Sequence, residues 1–382
     1  MTPEAVPAQP LSETRVLDFT QNLAGPFGSQ ILADLGADVI KVEPPGGDAA
    51  RGWGPPFIGG QSPLFQVANR NKRSVVLDLK DDDDRSRALS LAKDSDVVLQ
   101  SFRRGVAERL GIGYEQIRAV NPNVIYVSVT AFGHEGPLKD DPGYDPLMQA
   151  RSGLMDMTGD PDGDPARVGA SVVDLGTGMW IGIGVLGALL ERDRTGTGSH
   201  VTASLLDTSL AWMSYHLTSY LATGETPHRL GSSIAMIAPY QAFSARDGKV
   251  MISAGNDVIF GRLCQALGLE LADNPDFSTN ASRVANREPL LKLLSEKTSG
   301  HSVSELLGLL MQHAVPAAPI HTVADAATDP QTVASGMLRK TPHPEADDYV
   351  DVAMPIRWNG LRPVAHRHPP RVGEHQDEIF AE

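Results

Sequence analysis

Short apolar runs alternate with helical patterns through the first third of the chain, and this alternation constrains the fold more than any other feature of the sequence. Five runs have the length and apolar content of buried strands: 16–20, 37–43, 74–79, 96–102 and 124–132. Helical patterns such as Asp82–Lys93 separate them. When strands alternate with helices, each helix returns the chain to the same end of the sheet, so the strands lie parallel. We therefore expect an α/β fold whose large domain is a doubly wound, Rossmann-like parallel sheet.

The character of the sequence changes near residue 228. The stretch PYQAFSARDGKVMISAG (239–255) predicts a β-hairpin with its turn at Asp247-Gly248, and helical patterns continue to about Gln312. These features indicate a second, smaller α+β domain. The predicted organisation has four stretches: the N-terminal part of the large domain at 1–200, a linker helix at 201–227, the small domain at 228–328, and a return to the large domain at 329–382.

The balance of charge limits the partners that this chain can have. Lysine and arginine total 33 against 47 aspartate and glutamate residues, a formal charge of −14. Nucleic acids and anionic membranes bind basic surfaces, so we expect neither as a partner. The single cysteine, Cys264, cannot form an internal disulfide, and its apolar helical surroundings predict a buried, inert thiol. Because no secretory signal pattern opens the sequence, we expect a cytoplasmic protein.

One carboxylate stands alone in an apolar run. Asp174 is the only charged residue in VGASVVDLGTGMW (168–180). Burying an unpaired charge is expensive, so such an aspartate is usually paired, placed at a helix cap, or retained for chemistry. As the N-cap of the glycine-rich helical pattern that follows, Asp174 would have an ordinary structural role. The pattern from 172 to 190 resembles a membrane span, but its five glycines and Asp174 favour a closely packed core helix.

Common cofactor motifs are absent from the sequence. The loop AGPFGSQ (24–30) lacks the G-x-G-x-x-G spacing of a dinucleotide site, although it can present a helix N-terminus to an anion. An NAD-type oxidoreductase is therefore kept only as a remote alternative. The histidines near the end of the chain, His366, His368 and His375, lie in a proline-broken tail typical of a surface segment, so no metal site is expected.

Seven runs spread over the chain resemble one enzyme family. In order they are VLDFTQNLAGPFGSQILADLGADVIKVEPPGGD, NRNKRSVVLDLK, PGYDPLMQARSG, VGASVVDLGTGM, RTGTGSHVTASLLD, PYQAFSARDGKV and RVGEHQDEI. Together they resemble the family III CoA-transferases, a group that includes formyl-CoA transferase, carnitine CoA-transferase and 2-methylacyl-CoA racemase. The resemblance covers nearly the whole chain and implies an enzyme of acyl-CoA metabolism.

The resemblance assigns chemistry to the lone carboxylate. It implies that Asp174 is a nucleophile that forms an aspartyl anhydride and then an aspartyl-CoA thioester. A poorly hydrated carboxylate is also more reactive than a solvated one. Asp145 would support the site by hydrogen bonding, with a turn or cap before Pro146 as the alternative. Gly176 and Gly178 would let backbone N–H groups reach oxyanions, with helix packing as the alternative.

The resemblance also implies how CoA is held. CoA or acyl-CoA is then a substrate, and no permanently bound cofactor is expected. Positions that match CoA-contacting residues of the family are Gln21, Ala24, Leu77, Ser101, Phe102, Val106 and Arg109. Arg109 would meet a phosphate. Three more basic residues are candidates, with a solvated surface role at least as favoured: Lys72, Arg73 and Arg104. Where formyl-CoA transferase has an arginine this chain has Pro44, so that contact is lost or supplied elsewhere.

The sequence departs from the family's motifs at two places, and these departures distinguish between the activities known in the family. Racemases carry a histidine in the motif that here reads Gly143-Tyr144-Asp145, and a phenol is a poor general base near neutral pH. The second racemase carboxylate is matched only by Asn256-Asp257. The sequence therefore favours CoA transfer, with 2-methylacyl-CoA racemisation as the alternative. The four-glycine run of formyl-CoA transferase is missing from 228–240, which disfavours formate and oxalate.

The remaining expectations concern the acids and the assembly. We expect the acceptor to be a small organic acid, either a dicarboxylate or a hydroxy acid, with succinyl-CoA as a candidate donor. His228, Arg229 and Arg167 are candidate cations for a second carboxylate, although a solvated surface role is the more ordinary one for each. The resemblance further implies an interlocked homodimer, in which each chain threads through the other.

Overall fold

The computed structural model describes residues 9–381, which divide into two compact units. The first unit contains residues 9–155, 167–224 and 330–381. The second unit contains residues 156–166 and 225–329. The predicted stretches that begin at residue 1 and end at residue 382 thus extend outside the described residues.

Strands and helices alternate in the first unit. Its elements through residue 224 are β1 (Arg15–Asp18), α1 (Ala24–Asp34), β2 (Asp38–Glu43), α2 (Pro63–Asn69), β3 (Lys72–Val76), α3 (Asp82–Lys93), β4 (Val97–Gln100), α4 (Val106–Arg109), α5 (Tyr114–Val120), β5 (Ile125–Thr130), α6 (Asp145–Arg151), α7 (Val172–Thr195), β6 (His200–Ser204), α8 (Leu205–Trp212) and α9 (Ser214–Thr223). Each predicted strand run overlaps one of the strands β1 to β5.

The six strands form one parallel sheet in the order β3-β2-β1-β4-β5-β6. The predicted doubly wound α/β fold is therefore confirmed. The strand order reverses between β1 and β4, so the loops that leave these two strands run to opposite sides of the sheet. Open α/β sheets bind their ligands in the crevice at such a switch point.

Alternate strand residues supply two hydrophobic cores. Val16 in β1 belongs to the cluster that contains residues of α1 and α7, whereas Leu17 belongs to the cluster that contains residues of α3 and α5. Both side chains are fully buried. Helices thus cover both faces of the sheet, as a parallel sheet that is apolar on both faces requires.

Helix α7 packs on α1 with almost no space between the two backbones. A Cβ atom added at Gly178 would lie 2.9 Å from the carbonyl oxygen of Ala24 and 3.0 Å from the nitrogen of Gly28. One added at Gly28 would lie 2.8 Å from Cγ2 of Ile181. By length and composition alone α7 could cross a membrane, yet this glycine face lies against α1, as expected of a core helix.

The sequence predicts a linker helix at 201–227, and the structure corrects this prediction. Strand β6 takes up the first residues of this stretch, and the amphipathic sequence that follows, 207–222, lies in two helices, α8 and α9, that meet at Met213. The backbone of Met213 has φ −88° and ψ 8°, outside the α-helical range. Its side chain is buried. An amphipathic pattern indicates which residues are buried but not where the backbone hydrogen bonds of a helix end. The sequence therefore predicted one helix where the structure has two.

The second unit contains β7 (Tyr240–Ser244), β8 (Lys249–Ser253), α10 (Asp257–Leu267), α11 (Asn280–Ala285), α12 (Arg287–Thr298), α13 (Val303–Gln312), β9 (Ala317–Pro319) and α14 (Val323–Thr328). Strands β7 and β8 pair antiparallel, and Ala245 N–H donates to the Gly248 carbonyl at 2.8 Å, so the predicted hairpin is confirmed. Strand β9 completes a three-stranded antiparallel sheet. The sheet and the helices α10, α12 and α13 share one hydrophobic core.

Residues 156–166 belong to the second unit, although they lie inside the first predicted stretch, 1–200. Gly231 N–H donates to the Gly159 carbonyl at 3.0 Å, and Arg229 pairs with Asp156 at 3.4 Å. These contacts join residues that are far apart in the chain. Hydrophobic periodicity, which is a local signal, does not register them.

The chain then returns to the first unit with α15 (Pro330–Ser335), β10 (Leu338–Lys340), β11 (Val350–Val352) and α16 (Gln376–Phe380). His375 N–H donates to the Ser74 carbonyl beside β3 at 3.0 Å. Ile379 in α16 joins the core cluster that contains residues of α3 and α5. Helix α16 therefore completes a core to which β1 also contributes.

Candidate active site

A cavity of about 550 Å³ lies at the carboxyl edge of the parallel sheet, within the first unit. Gln21, which follows β1, and Ser101, which follows β4, both line it, so the cavity lies at the switch point. Gln21 N–H donates to Ser101 Oγ at 3.2 Å. The charged residues that line the cavity are Arg103, Arg104, Lys139, Asp140, Asp141, Asp145, Arg167 and Asp174. Its volume is typical of a small-molecule site.

Asp174 lies in the first turn of α7 and lines this cavity. The helix begins at Val172 and Ser171 occupies the N-cap position, so the alternative role of Asp174 as N-cap is wrong. Among residues 9–381, no group donates a hydrogen bond to the Asp174 carboxylate. The carboxylate is therefore available to a ligand.

Asp145 caps α7 from another helix. It is the first residue of α6 and is buried. Its Oδ2 accepts the backbone N–H groups of Val173 at 2.8 Å and Asp174 at 3.3 Å, while its Oδ1 accepts Gln149 Nε2 at 2.6 Å. A carboxylate at this place satisfies N–H groups that have no partner within the helix and favours the helix dipole. Because these N–H groups donate to Asp145, they do not bind the side chain of Asp174.

Burial and the neighbouring Asp145 carboxylate raise the pKa of Asp174 to about 7, against the opposing effect of Arg167. A raised pKa means that the ionised carboxylate is poorly solvated and strongly basic. Such a group is a better nucleophile than a solvated aspartate, provided that it is ionised. The site can therefore supply a reactive carboxylate near neutral pH.

Arg167 is the candidate cation that shares the cavity with Asp174. Its Nε donates to the Val168 carbonyl at 3.1 Å and its Nη2 to the Gly169 carbonyl at 3.0 Å. Arg167 is exposed and both bonds are local, and its Nη1 makes no hydrogen bond to any residue that the structure describes. The other two candidate cations, His228 and Arg229, belong to the second unit.

The glycines of α7 serve packing. A Cβ atom added at Gly176 would lie 2.4 Å from Cζ2 of Trp212, and Gly178 contacts the backbone of α1. Both glycines lie beyond the first turn of α7, where N–H groups donate within the helix. The structure thus supports the packing alternative. Free donors come instead from α1, whose N-terminus has no side-chain cap and whose first residues, Ala24 and Gly25, line the cavity.

The predicted CoA-contacting residues fall into three groups. Four line the main cavity: Gln21, Ala24, Ser101 and Phe102. Leu77 lines a smaller cavity of about 120 Å³ that shares Gln21 and Phe102 with the first and is also lined by Pro44. Val106 and Arg109 lie in α4 and line neither cavity.

Two of the candidate phosphate ligands are buried, which corrects the surface role offered for them. Lys72 is completely buried, and its Nζ donates to Asp18 at 3.2 Å and to the Pro26 carbonyl at 2.8 Å. Burial lowers its pKa to about 8. Arg73 is 8% exposed and pairs with Asp38 at 2.6 Å. Both residues lie in β3 at the edge of the sheet, where Arg73 also pairs with Glu378 of the C-terminal segment at 3.1 Å.

Candidates in the second unit have structural partners. Asn256 caps α10 by accepting the N–H of Ile259 at 2.9 Å, and Asp257 pairs with Arg283 at 2.7 Å. Cys264 is 1% exposed, and burial raises its pKa to about 11, which agrees with the predicted inert thiol.

Sequence reasoning missed two kinds of residue at the site. Trp53 lines the cavity with its side chain 44% exposed. Lys41 and Asp48 lie below the cavity, completely or almost completely buried, and contact the loop after β1. A lysine in the middle of the apolar run VIKVE was the signal that could have revealed this second group, because a charge inside a buried strand needs a partner.

The chain is similar to one protein family and to several known proteins over most of its length. The model of CoA-transferase family III matches residues 11–376. Acetyl-CoA:oxalate CoA-transferase of Acetobacter aceti is 43% identical over 89% of this chain and 88% of its own length. Succinate–glutarate CoA-transferase of Agrobacterium fabrum is 38% identical over 98% of this chain and 95% of its own. The crystal structure of a CAIB/BAIF family protein from Brucella suis has a TM-score of 0.87 and 40% identity, covering 98% of this chain and 99% of that one.

The raised pKa of Asp174 predicts that this residue destabilises the fold at alkaline pH. A carboxyl group whose pKa is higher in the folded state holds its proton more tightly there, so its contribution to stability is present at acidic pH and is lost as the pH rises through about 7. Asp174→Asn removes this titration. Its stability relative to the unmodified chain should therefore grow by about 2 kcal/mol between roughly pH 5.5 and pH 8.5, measured by urea unfolding.

Asp207→Asn is the matched control, because Asp207 is an exposed aspartate in the first turn of α8. It should show no such growth with pH. An Asp174→Asn variant whose relative stability is the same at both pH values would contradict the desolvation of this carboxylate.

Proposed function

This chain belongs to CoA-transferase family III, and we propose that it moves CoA from an acyl-CoA thioester to a small dicarboxylic or hydroxy acid through covalent intermediates on Asp174. As a family III enzyme it is a CoA-transferase. The observation that carries the mechanistic proposal is the position of the partly buried Asp174 carboxylate, which lines the cavity at the switch point of the sheet without a hydrogen-bond donor among the described residues.

The proposed reaction has two halves. In the first, an Asp174 carboxylate oxygen attacks the thioester carbonyl. The C–S bond breaks, CoA departs as a thiolate, and an aspartyl-acyl anhydride remains. The thiolate then attacks the carbonyl of Asp174, and the C–O bond breaks to give an aspartyl-CoA thioester and a free carboxylate. In the second half an incoming carboxylate reverses these steps, which yields a new acyl-CoA and the original Asp174 carboxylate.

These steps need no general base, because each one exchanges a carboxylate for a thiolate or the reverse. The residues around Asp174 fit that requirement. Asp145 keeps the first N–H groups of α7 away from the nucleophile. The uncapped N-terminus of α1, with Ala24 and Gly25 at the cavity wall, can stabilise the oxyanion of each tetrahedral intermediate. In this proposal these two residues act on the reacting atoms.

The racemase alternative is less well supported. Racemisation requires a base that removes the α-proton of the acyl group. In this chain Tyr144 stands beside Asp145 on the cavity wall, where a racemase would have a histidine. A phenol suits a reaction without proton transfer at carbon better than one that depends on it.

The proposed class of acid rests on the relatives and on Arg167. The relatives named above transfer CoA to or from oxalate, succinate and glutarate according to their names, and others are succinyl-CoA:mesaconate CoA-transferases. All of these acids carry two carboxylates. Arg167 lines the same cavity as Asp174 and has a guanidinium nitrogen without a described partner, so it can bind the carboxylate that does not react. The missing glycine run disfavours oxalate, whereas the relative from Acetobacter aceti favours it.

We also propose an interlocked homodimer in the cytoplasm, where acyl-CoA thioesters occur. Large apolar side chains are exposed on α7 of the single chain, and helix α9 has no buried residue. On α7, Met179 is 50%, Ile183 56% and Leu190 68% exposed. Exposed apolar side chains of this size favour an interface, and we propose that a second copy of the chain covers them.

Replacing Asp174 tests the nucleophile. Asp174→Ala and Asp174→Asn should each lower kcat for CoA transfer by more than about a thousandfold, because an amide or a methyl group cannot form the anhydride. Binding of CoA should persist, as measured by isothermal titration calorimetry. Asp193→Ala, an exposed aspartate near the end of the same helix, serves as the control and should retain full activity. Substantial turnover by Asp174→Ala would refute the mechanism.

Replacing Arg167 tests the class of acid. Arg167→Gln should lower kcat/KM for succinyl-CoA by about 10- to 100-fold, the value of a hydrogen bond between charged groups. The effect on butyryl-CoA, which has the same chain length and no second carboxylate, should be small. Arg118→Gln removes an exposed arginine that lies outside the cavity and should change kcat/KM for neither succinyl-CoA nor butyryl-CoA. Equal losses on both thioesters would mean that Arg167 does not recognise the second carboxylate.

Light scattering tests the assembly. At micromolar concentration the protein should have about twice the 40.8 kDa mass of one chain. Ile183→Asp, which places a charge on the exposed apolar face of α7, should reduce the dimer fraction. A monomeric wild-type protein would contradict the homodimer.

A further inference from the structure

In the loop between β1 and α1, side chains bind all three backbone N–H groups of residues 20–22 and the carbonyl of Thr20. Thr20 N–H donates to Asp18 at 2.9 Å, and the Thr20 carbonyl accepts Lys41 Nζ at 2.9 Å. Asn22 N–H donates to Asp48 Oδ1 at 3.2 Å, and Gln21 N–H is bound by the Ser101 hydroxyl as described above. Asn22 has φ +67°, a conformation that non-glycine residues rarely adopt. Contacts from outside the loop therefore determine its shape.

The ion pair that holds this loop is fully buried. Lys41 Nζ lies 2.8 Å from Asp48 Oδ2, with both side chains 0% exposed. The backbone N–H of Asp48 donates to Glu43 Oε2 at 2.8 Å, and Glu43 pairs in turn with Arg51 at 2.6 Å. Asp48 is thus held by Glu43 and Lys41, and its Oδ1 accepts two backbone N–H groups, that of Ala50 at 3.0 Å and that of Asn22 at 3.2 Å.

Stability alone does not account for such a pair. A buried ion pair contributes little net stability compared with apolar residues of the same size, because both charges lose their hydration. The Lys41–Asp48 pair lies directly below the residues that begin α1, Leu23 to Gly25, and these line the cavity. Its contacts therefore connect the core of the unit to the wall of the site.

We propose that Asp48 is a positioning residue for CoA, with Lys41 as its fixed counterion. By accepting the Asn22 N–H it holds Gln21 and the first turn of α1 in place before the substrate arrives. A wall that is already ordered binds more tightly, since binding then orders fewer groups. This inference rests on the proposed function, because it assumes that the cavity binds CoA.

Two double variants separate positioning from stability. Lys41→Met/Asp48→Ala removes the ion pair and also the acceptor for Asn22. Lys41→Met/Asp48→Asn removes the same ion pair but keeps a carbonyl oxygen that can accept the Asn22 N–H. Neither variant leaves a buried unpaired charge, and both remove the Lys41 bond to Thr20. The two variants therefore differ in the oxygen at residue 48 that accepts the N–H of Asn22 at 3.2 Å and the N–H of Ala50 at 3.0 Å.

The measurements are the KM for acyl-CoA, the affinity for CoA by isothermal titration calorimetry, and the midpoint of thermal unfolding. For Lys41→Met/Asp48→Ala we expect KM and the CoA dissociation constant to rise about tenfold, the effect of one lost hydrogen bond. For Lys41→Met/Asp48→Asn both should stay within about threefold of the wild type. The KM for the acceptor acid should change little in either variant.

A buried ion pair elsewhere in the first unit gives the control. Arg70 pairs with Asp351 at 2.7 Å, and neither residue lines the cavity. Asp351→Ala should lower the unfolding midpoint without raising the KM for acyl-CoA. Equal CoA affinity in the two double variants, or an equal rise in KM for Asp351→Ala, would overturn the positioning role alone. A wild-type protein that binds no CoA would overturn the proposed function and this inference together.

Discussion

The chemistry proposed for this chain depends on the Asp174 carboxylate, which is partly buried and accepts no hydrogen bond from the residues that the structure describes. Asp174 lies where the backbone N–H groups of α7 would ordinarily bind it, at the beginning of a helix. Asp145 takes those donors instead, through bonds of 2.8 and 3.3 Å. The result is a pair of neighbouring carboxylates, of which one is satisfied and the other is left basic, with its pKa raised to about 7. Two aspartates from different helices thus have different roles because their surroundings differ.

The rest of the first unit keeps this pair in place. The parallel sheet brings the loops after β1 and β4 together at its switch point, and the glycines of α1 and α7 let the two helices touch. Contact between backbones leaves little freedom for the first turn of either helix. Two buried ion pairs, Lys41–Asp48 and Lys72–Asp18, support the loop after β1. Rigid elements therefore surround the reacting group, and a loop forms only part of the wall.

Local signals in the sequence were sufficient for the architecture. The strand runs, the helix Asp82–Lys93 and the hairpin at Asp247-Gly248 are where the patterns place them, because each depends on periodicity or turn residues. Long-range contacts were not visible in this way. Lys72 and Arg73 resemble surface cations in the sequence, yet their partners, Asp18 and Asp38, come from other strands and bury them.

At the candidate site, too, local signals could be found in the sequence and long-range contacts could not. Asp174 was conspicuous because a charge in an apolar run is anomalous, and Asp145 was found by resemblance. That Asp145 caps the helix of Asp174 follows only from the packing of α6 on α7, and no spacing in the sequence encodes it. The break at Met213 and the placement of 156–166 in the second unit were missed for the same reason.

The covalent intermediate on Asp174 is the central claim, and mass spectrometry tests it most directly. The enzyme is incubated with succinyl-CoA alone, treated with borohydride and digested. An aspartyl-CoA thioester is reduced to the alcohol, so the account predicts that residue 174 becomes homoserine only when both borohydride and acyl-CoA are present. An unmodified peptide from an enzyme that still exchanges CoA, or reduction at a different carboxylate, would contradict it.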